Sequence, residues 1–255
     1  MKKKLILSLA LLIFSSFLVL HSAHADPIPN IDIQIGNNDN GTGGGTSSIS
    51  ILLLTTVLSV APAFLMLMTS FTRIVIVLGF VRTSLGTQQM PPNQVLVGLA
   101  LFLTLFIMTP TLSQVNQTAL QPYLKGELTQ TEALNKAAEP MKEFMFKQTS
   151  TKDLLLFMNY TGNNASVKPA TYKDIPLTVM VPAFAIGEMK KAFMMGFMIF
   201  IPFLVIDIVV SSTLMAMGMM MLPPVMISLP FKILLFVLVD GWYLVVKSLL
   251  LSFNT

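Results

Sequence analysis

Two carboxylates stand where a carboxylate is costly. Asp207 falls in the middle of an apolar stretch of about residues 192–217, and Asp240 lies inside another of about 231–251. Charges in such stretches usually pair or face a cavity. Two aspartates held about 3 Å apart would share a proton and could form an acid dyad for peptide hydrolysis. A solitary Asp207 would instead serve as an ion or proton site in a small-solute transporter. Paired with a cation, either residue would do no chemistry and would tie helices or subunits together. Cations are near at hand, because Lys232 and Lys247 flank Asp240, and Glu188 and Lys190 precede the Asp207 stretch. A buried or inter-subunit role therefore groups Glu188, Lys190, Asp207, Lys232 and Asp240. Lys232 opens its stretch and could also snorkel to an interface, whereas Asp207 has no such escape.

The segment Met215-Ala216-Met217-Gly218-Met219-Met220-Met221-Leu222-Pro223-Pro224 has a different potential. Methionine is flexible and polarisable, and suits contacts that must repack. Gly218, Pro223 and Pro224 stop the helix and set a loop, and Pro202 predicts a break or kink further upstream. Three consecutive methionines at a helix end cannot all face one core. If several subunits surround an axis, Met219, Met220 and Met221 make an apolar gasket that seals against ions yet yields to a polypeptide.

Other chemistries have few residues to work with. The chain has no cysteine, and its two histidines, His21 and His24, lie near the N-terminus. Thiol catalysis, Ser-His triads and the usual zinc ligand sets are excluded once that segment is removed. No catalytic residue, metal or cofactor is expected, and the chain does not read as an enzyme. Without Lys2, Lys3 and Lys4 the acids and bases nearly balance, so nucleic acid has no electrostatic footprint here.

The elements that must position these groups are those of a membrane protein. Of the 255 residues, 54% are hydrophobic and 11% charged, and the mean hydropathy is +0.75. A soluble domain carries about 25% charged residues. Residues 1–25 read as a cleaved signal peptide, with a basic start, an apolar run and an Ala23-His24-Ala25 cleavage site. An uncleaved first helix is the alternative. Residues 26–48 read as a flexible polar tether. Residues 49–110 hold N-terminal apolar helices, one stretch of about 49–81 that contains Arg73, and a marginal one ending near Pro110. Residues 111–175 form an amphipathic polar helical region, opened by a capping box at Thr129 and Glu132 and interrupted by Pro140. Leu134, Ala138, Met141 and Met145 mark its apolar face. Residues 176–255 carry the C-terminal apolar helices and the methionine-rich loop. A short apolar run of about 175–186 is set apart from the next by Glu188, Lys190 and Lys191. The fold expected is all-α, with membrane-type helical hairpins and kinked helices. The inverted repeat that a transporter would show is not seen between the two halves.

Several of these residues also carry a resemblance. Pro182-Ala183-Phe184, then Glu188-Met189-Lys190 and Gly196-Phe197, are similar to a signature of the FliP family. Phe200-Ile201-Pro202-Phe203-Leu204-Val205-Ile206-Asp207, the methionine segment, and Leu229-Pro230-Phe231-Lys232 through Val239-Asp240-Gly241-Trp242-Tyr243 continue it. The likeness is dense over about 175–251 and looser over 49–110, where Arg73, Arg82 and Pro91-Pro92 belong to it. Around Glu188 the chain departs from the family pattern, with Gly187, Met189, Lys191, Met194 and Met195. The resemblance implies a core subunit of the flagellar type III protein-export gate. It implies a homo-oligomer, a pentamer, in a ring or helical arrangement with FliR, FliQ and other export-apparatus membrane proteins. It places the chain in the bacterial inner membrane at the flagellar basal body, multi-pass, with the mature N-terminus periplasmic. Unfolded flagellar proteins would cross the pore, closed by Met219, Met220 and Met221. A virulence-type injectisome subunit is the alternative, and the signal peptide with the long 111–175 region resembles the flagellar branch.

Overall fold

The computed structural model describes residues 44–87, 89–161, 171–219 and 222–253. The chain divides into two units, Met1–Val57 and Leu58–Thr255. Within the first, the described part is helical from Gly44 onward. The expected signal peptide and residues 26–43 of the expected tether lie outside the described residues. Residues 44–48, expected as tether, are already helical, because a helix nucleated in the apolar run propagates outward at little cost.

Every element described is helical: α1 (Gly44–Met68), α2 (Phe71–Leu85), α3 (Asn93–Val115), a π-helical turn (Asn116–Leu120), α4 (Gln121–Leu124), α5 (Gln130–Gln148), α6 (Thr151–Tyr160), α7 (Leu177–Ala216), α8 (Pro224–Leu238) and α9 (Gly241–Leu251). The spine of the second unit is α7, with α2, α5, α6 and α8 packed along it. One core cluster joins Met145, Leu154, Met158, Ile175, Met180 and Phe184, where α5 and α6 meet the start of α7. A second joins Ile74, Val77, Leu78 and Val81 of α2 to Leu96, Ala100, Ala192, Phe203, Phe236 and Leu249.

Several boundaries differ from those expected. The short apolar run before Glu188 is not separate; it is the first third of the 40-residue α7. Glu and Lys are good helix formers, and Glu188 finds a partner inside the fold, so neither obliges the helix to stop. Pro202 does not end α7 either, and Pro140 sits buried within the unbroken α5. A proline removes one i→i−4 bond, and the bonds of the turns before and after it carry the helix on. The stretch expected to stop near Pro110 continues through the π-helical turn to Leu124. On α5, Ala138, Met141 and Met145 are partly or wholly buried, whereas Leu134 is exposed.

The sharp bends fall elsewhere. Leu58–Met68 and Phe71–Leu85 meet at 67°, and Pro224–Leu238 and Gly241–Leu251 at 62°. At the first bend Thr69 Oγ1 donates to the Leu65 carbonyl and accepts from the Phe71 N–H at 3.3 Å, closing one helix and opening the next. At the second, Asp240 takes a left-handed conformation, φ 51° and ψ 56°, which Asp tolerates better than most residues. Among the described residues, Asn93–Leu124 and Leu177–Ala216 are long and apolar enough to cross a membrane, and each bent pair would add a further span. So the stretch that read as marginal is continuous, and two that read as full spans are broken.

In lipid, apolar burial alone gives little drive for helices to associate, and close approach of backbones matters more. Gly196 of α7 meets that need: a Cβ there would lie 2.4 Å from the Phe80 ring of α2. Ala192, one turn earlier, is fully buried on the same face.

Candidate functional site: two buried ion pairs and a methionine turn

Three groups of chemistry-bearing residues are arranged along α7. The first surrounds Glu188, which is fully buried. Arg73 of α2, 1% exposed, donates Nε to Glu188 Oε2 at 2.8 Å and Nη2 to Oε1, a bidentate fork. Nη2 also reaches Gln148 Oε1 at 3.2 Å, and Nη1 donates to the Ser252 carbonyl at 3.0 Å and its hydroxyl at 2.9 Å. The Phe253 ring lies 3.7 Å from the guanidinium carbon. One cation thus draws together α2, α5, α7 and the chain's last turn. The cluster sits between Phe184 of one core and Ala192 of the other. Lys191 Nζ approaches Glu188 Oε1 at 3.9 Å and donates to the Gln148 carbonyl at 2.6 Å.

The second group is Asp207 with two residues of α8. Lys232, 2% exposed, donates Nζ to Asp207 Oδ2 at 2.6 Å, and the buried Ser228 hydroxyl donates to Oδ1 at 2.6 Å. Lys232 therefore does not snorkel outward. A Cβ added to Gly86 would lie 3.8 Å from Lys232 Nζ, which places the ammonium at the C-terminal end of α2, where carbonyl dipoles favour a cation.

The third group is the turn that ends α7. Gly218 has φ +74°, and its N–H donates to the Met215 carbonyl while that of Met219 donates to the Leu214 carbonyl, a Schellman close. Pro224 then opens α8 at its first position, where the missing N–H costs nothing. Met219 is exposed on this turn. Met220 and Met221 lie outside the described residues.

Some expected members stand apart. Lys190 is exposed, so within this chain it is not a buried charge. Asp240 is also exposed; its place is the left-handed bend between α8 and α9, and its character there is conformational. Asp207 gives both oxygens to a lysine and a serine, an arrangement opposed to a proton-sharing dyad with Asp240. Arg73 is the residue that sequence reasoning left without a role. Its signal was present, since it is the charge inside the first apolar stretch and its cost there demands an acidic partner. Gln148 and Ser252 gave no comparable signal.

Similarity to known proteins is extensive. The model of the FliP family matches residues 54–249. A protein of Bacillus subtilis (strain 168) described as flagellar biosynthetic protein FliP is 69% identical over 206 residues, 81% of this chain and 92% of its own length. Relatives of the same description are 50% identical in Buchnera aphidicola, over 92% of this chain and 60% of theirs, and 50% identical in Caulobacter vibrioides, over 88% and 82%. By the span of the family match and these identities, the chain belongs to the FliP family.

Proposed function

We propose that the chain is a core subunit of the flagellar type III protein-export gate, and that its methionine turn seals the pore through which unfolded flagellar proteins are exported across the inner membrane. The observation that carries this reading is the exposed apolar tip of the α7–α8 hairpin. Met215, Met217, Met219, Leu222, Val225 and Met226 are all exposed there, and no chemistry is built around them. A tip of this kind suits an axis shared by several copies, where facing methionines form a compliant constriction. Copies of this chain, with FliR and FliQ, would form the ring or helical assembly in the inner membrane, its N-terminus periplasmic. Passage through the gate involves no bond-making by this chain. The relatives' shared description as flagellar biosynthetic proteins favours the flagellar apparatus over an injectisome.

Deleting the gene and following flagellin in the medium together with motility tests this reading. Loss of both, restored by the wild-type copy, is expected; normal motility would move the chain to a virulence-type system. Replacing Met219, Met220 and Met221 with alanine in the assembled complex is expected to raise ion leakage while assembly persists. Unchanged leakage would remove the gasket.

A further inference from the structure

We infer that Asp207, Ser228 and Lys232 are positioning residues that set the register of α8 on α7 and thereby hold the methionine turn in its sealing position; this rests on the gate reading above. Ser228 and Lys232 are one helical turn apart and present one face of α8. Each donates to a different oxygen of the same carboxylate, both at 2.6 Å. A slip of α8 by one turn, about 5.4 Å, would carry one donor to where the other stood, so at most one of the two bonds could form again. The cluster is therefore a two-point lock, more restrictive than apolar contact, which tolerates sliding.

The lock matters for the turn because little else supports it. Among the described residues of 208–227, Leu214 is the one that is buried. Ser228 lies about 6 Å of helix axis beyond Pro224, at about 1.5 Å per residue. The polar cluster is thus the base of a projecting hairpin whose tip carries Met219. Its other side abuts the end of α2, where Cβ positions on Gly86 would touch Leu229 and Val225 at 3.6 and 3.7 Å. That contact ties the base of the hairpin to the core helix that also carries Arg73.

The chain has no native cysteine, so Met219→Cys is its one thiol, and its label is read on this subunit after the complex is separated. The rate of alkylation of that thiol by a membrane-impermeant maleimide is measured in the purified assembled complex. Asp207→Asn and Lys232→Met are expected to speed labelling about tenfold, as a locally opened hairpin exposes its tip. Lys232→Arg and the exchange of Asp207→Lys with Lys232→Asp are expected to return the rate most of the way. Ser228→Ala keeps both charges and is expected to speed labelling about threefold, the effect of one hydrogen bond. An unchanged rate in assembled Asp207→Asn complex overturns the inference. If that variant does not assemble, Ser228→Ala decides, and an unchanged rate there overturns it equally. Faster labelling in these variants, beside a triple alanine variant that does not leak, keeps the register lock and removes the gasket. Unchanged labelling beside a leaking triple variant does the reverse.

Discussion

The guanidinium of Arg73 and the carboxylate of Glu188, 115 positions apart in the chain, meet as a forked pair with both side chains buried. Each charge is tolerable there only because of the other. The pair lies where the two apolar cores adjoin, and the same cation holds Gln148 and Ser252, so the first third of α7, the end of α5 and the turn after α9 are fastened at one point.

Removing one partner leaves the other charged and buried, at a cost of about 3–5 kcal/mol. Arg73→Met and Glu188→Gln are each expected to lower the unfolding temperature in detergent sharply and to reduce the amount of chain in membranes. The double variant Arg73→Met with Glu188→Met is expected to be less damaged than either single change. A double variant as unstable as the sum of the singles would contradict this coupling.

Gly196 is required by the approach of Phe80. Gly196→Ala would force a Cβ to within 2.4 Å of two ring carbons and 2.9 Å of the Phe80 Cβ, so α2 and α7 must separate. Overpacking of this size costs about 1–3 kcal/mol. Combining it with Phe80→Leu is expected to recover part of the loss in thermal unfolding.

Asp240 is expected to respond to substitution by backbone conformation and not by charge. Asp240→Gly and Asp240→Asn keep access to the left-handed region and should leave stability within about 0.5 kcal/mol, whereas Asp240→Val should cost about 1–2 kcal/mol. Thermal unfolding of the set separates the two properties. Comparable losses in the asparagine and valine variants would restore an ionic role.

The capping box of α5 gives a pH dependence. The Thr129 N–H donates to Glu132 Oε2 at 3.0 Å and its hydroxyl donates at 2.9 Å, and these bonds hold the Glu132 carboxyl below its ordinary value of 4.5. A group depressed in the folded state contributes stability fully above its unfolded value and loses it as pH falls through the folded one. The protection of the first-turn amides of α5, as their exchange rate relative to that of an unfolded chain at the same pH, is therefore expected to fall as the pH is lowered below 4.5. Thr129→Ala removes the hydroxyl bond but keeps the backbone N–H bond to Glu132, so it should weaken that dependence without abolishing it.

Much of this was legible because it is local. The capping box needs only Thr and Glu three apart, and both bonds of it are formed. Gly218 closes α7 and Pro224 opens α8 because φ preference belongs to the residue itself. Pro140 and Pro202 break neither helix for a related reason: a proline lowers helix stability by a finite amount, which packing around the buried Pro140 outweighs. Thr69 and Asp240, where the bends occur, are weak local signals beside a proline.

By itself the sequence determined an all-helical, membrane-type chain, its family, and the ends of the helices around the methionine turn. The family follows from the matching motifs, and the rest from composition, period and backbone preference, which each short segment expresses alone. Only the tertiary structure decided that Asp207 meets Lys232 and not Asp240, and that Glu188 meets Arg73. A buried charge dictates that a partner must exist, but which one depends on the approach of whole helices, and that is set by packing such as that of Gly196 on Phe80, residues 116 positions apart in sequence.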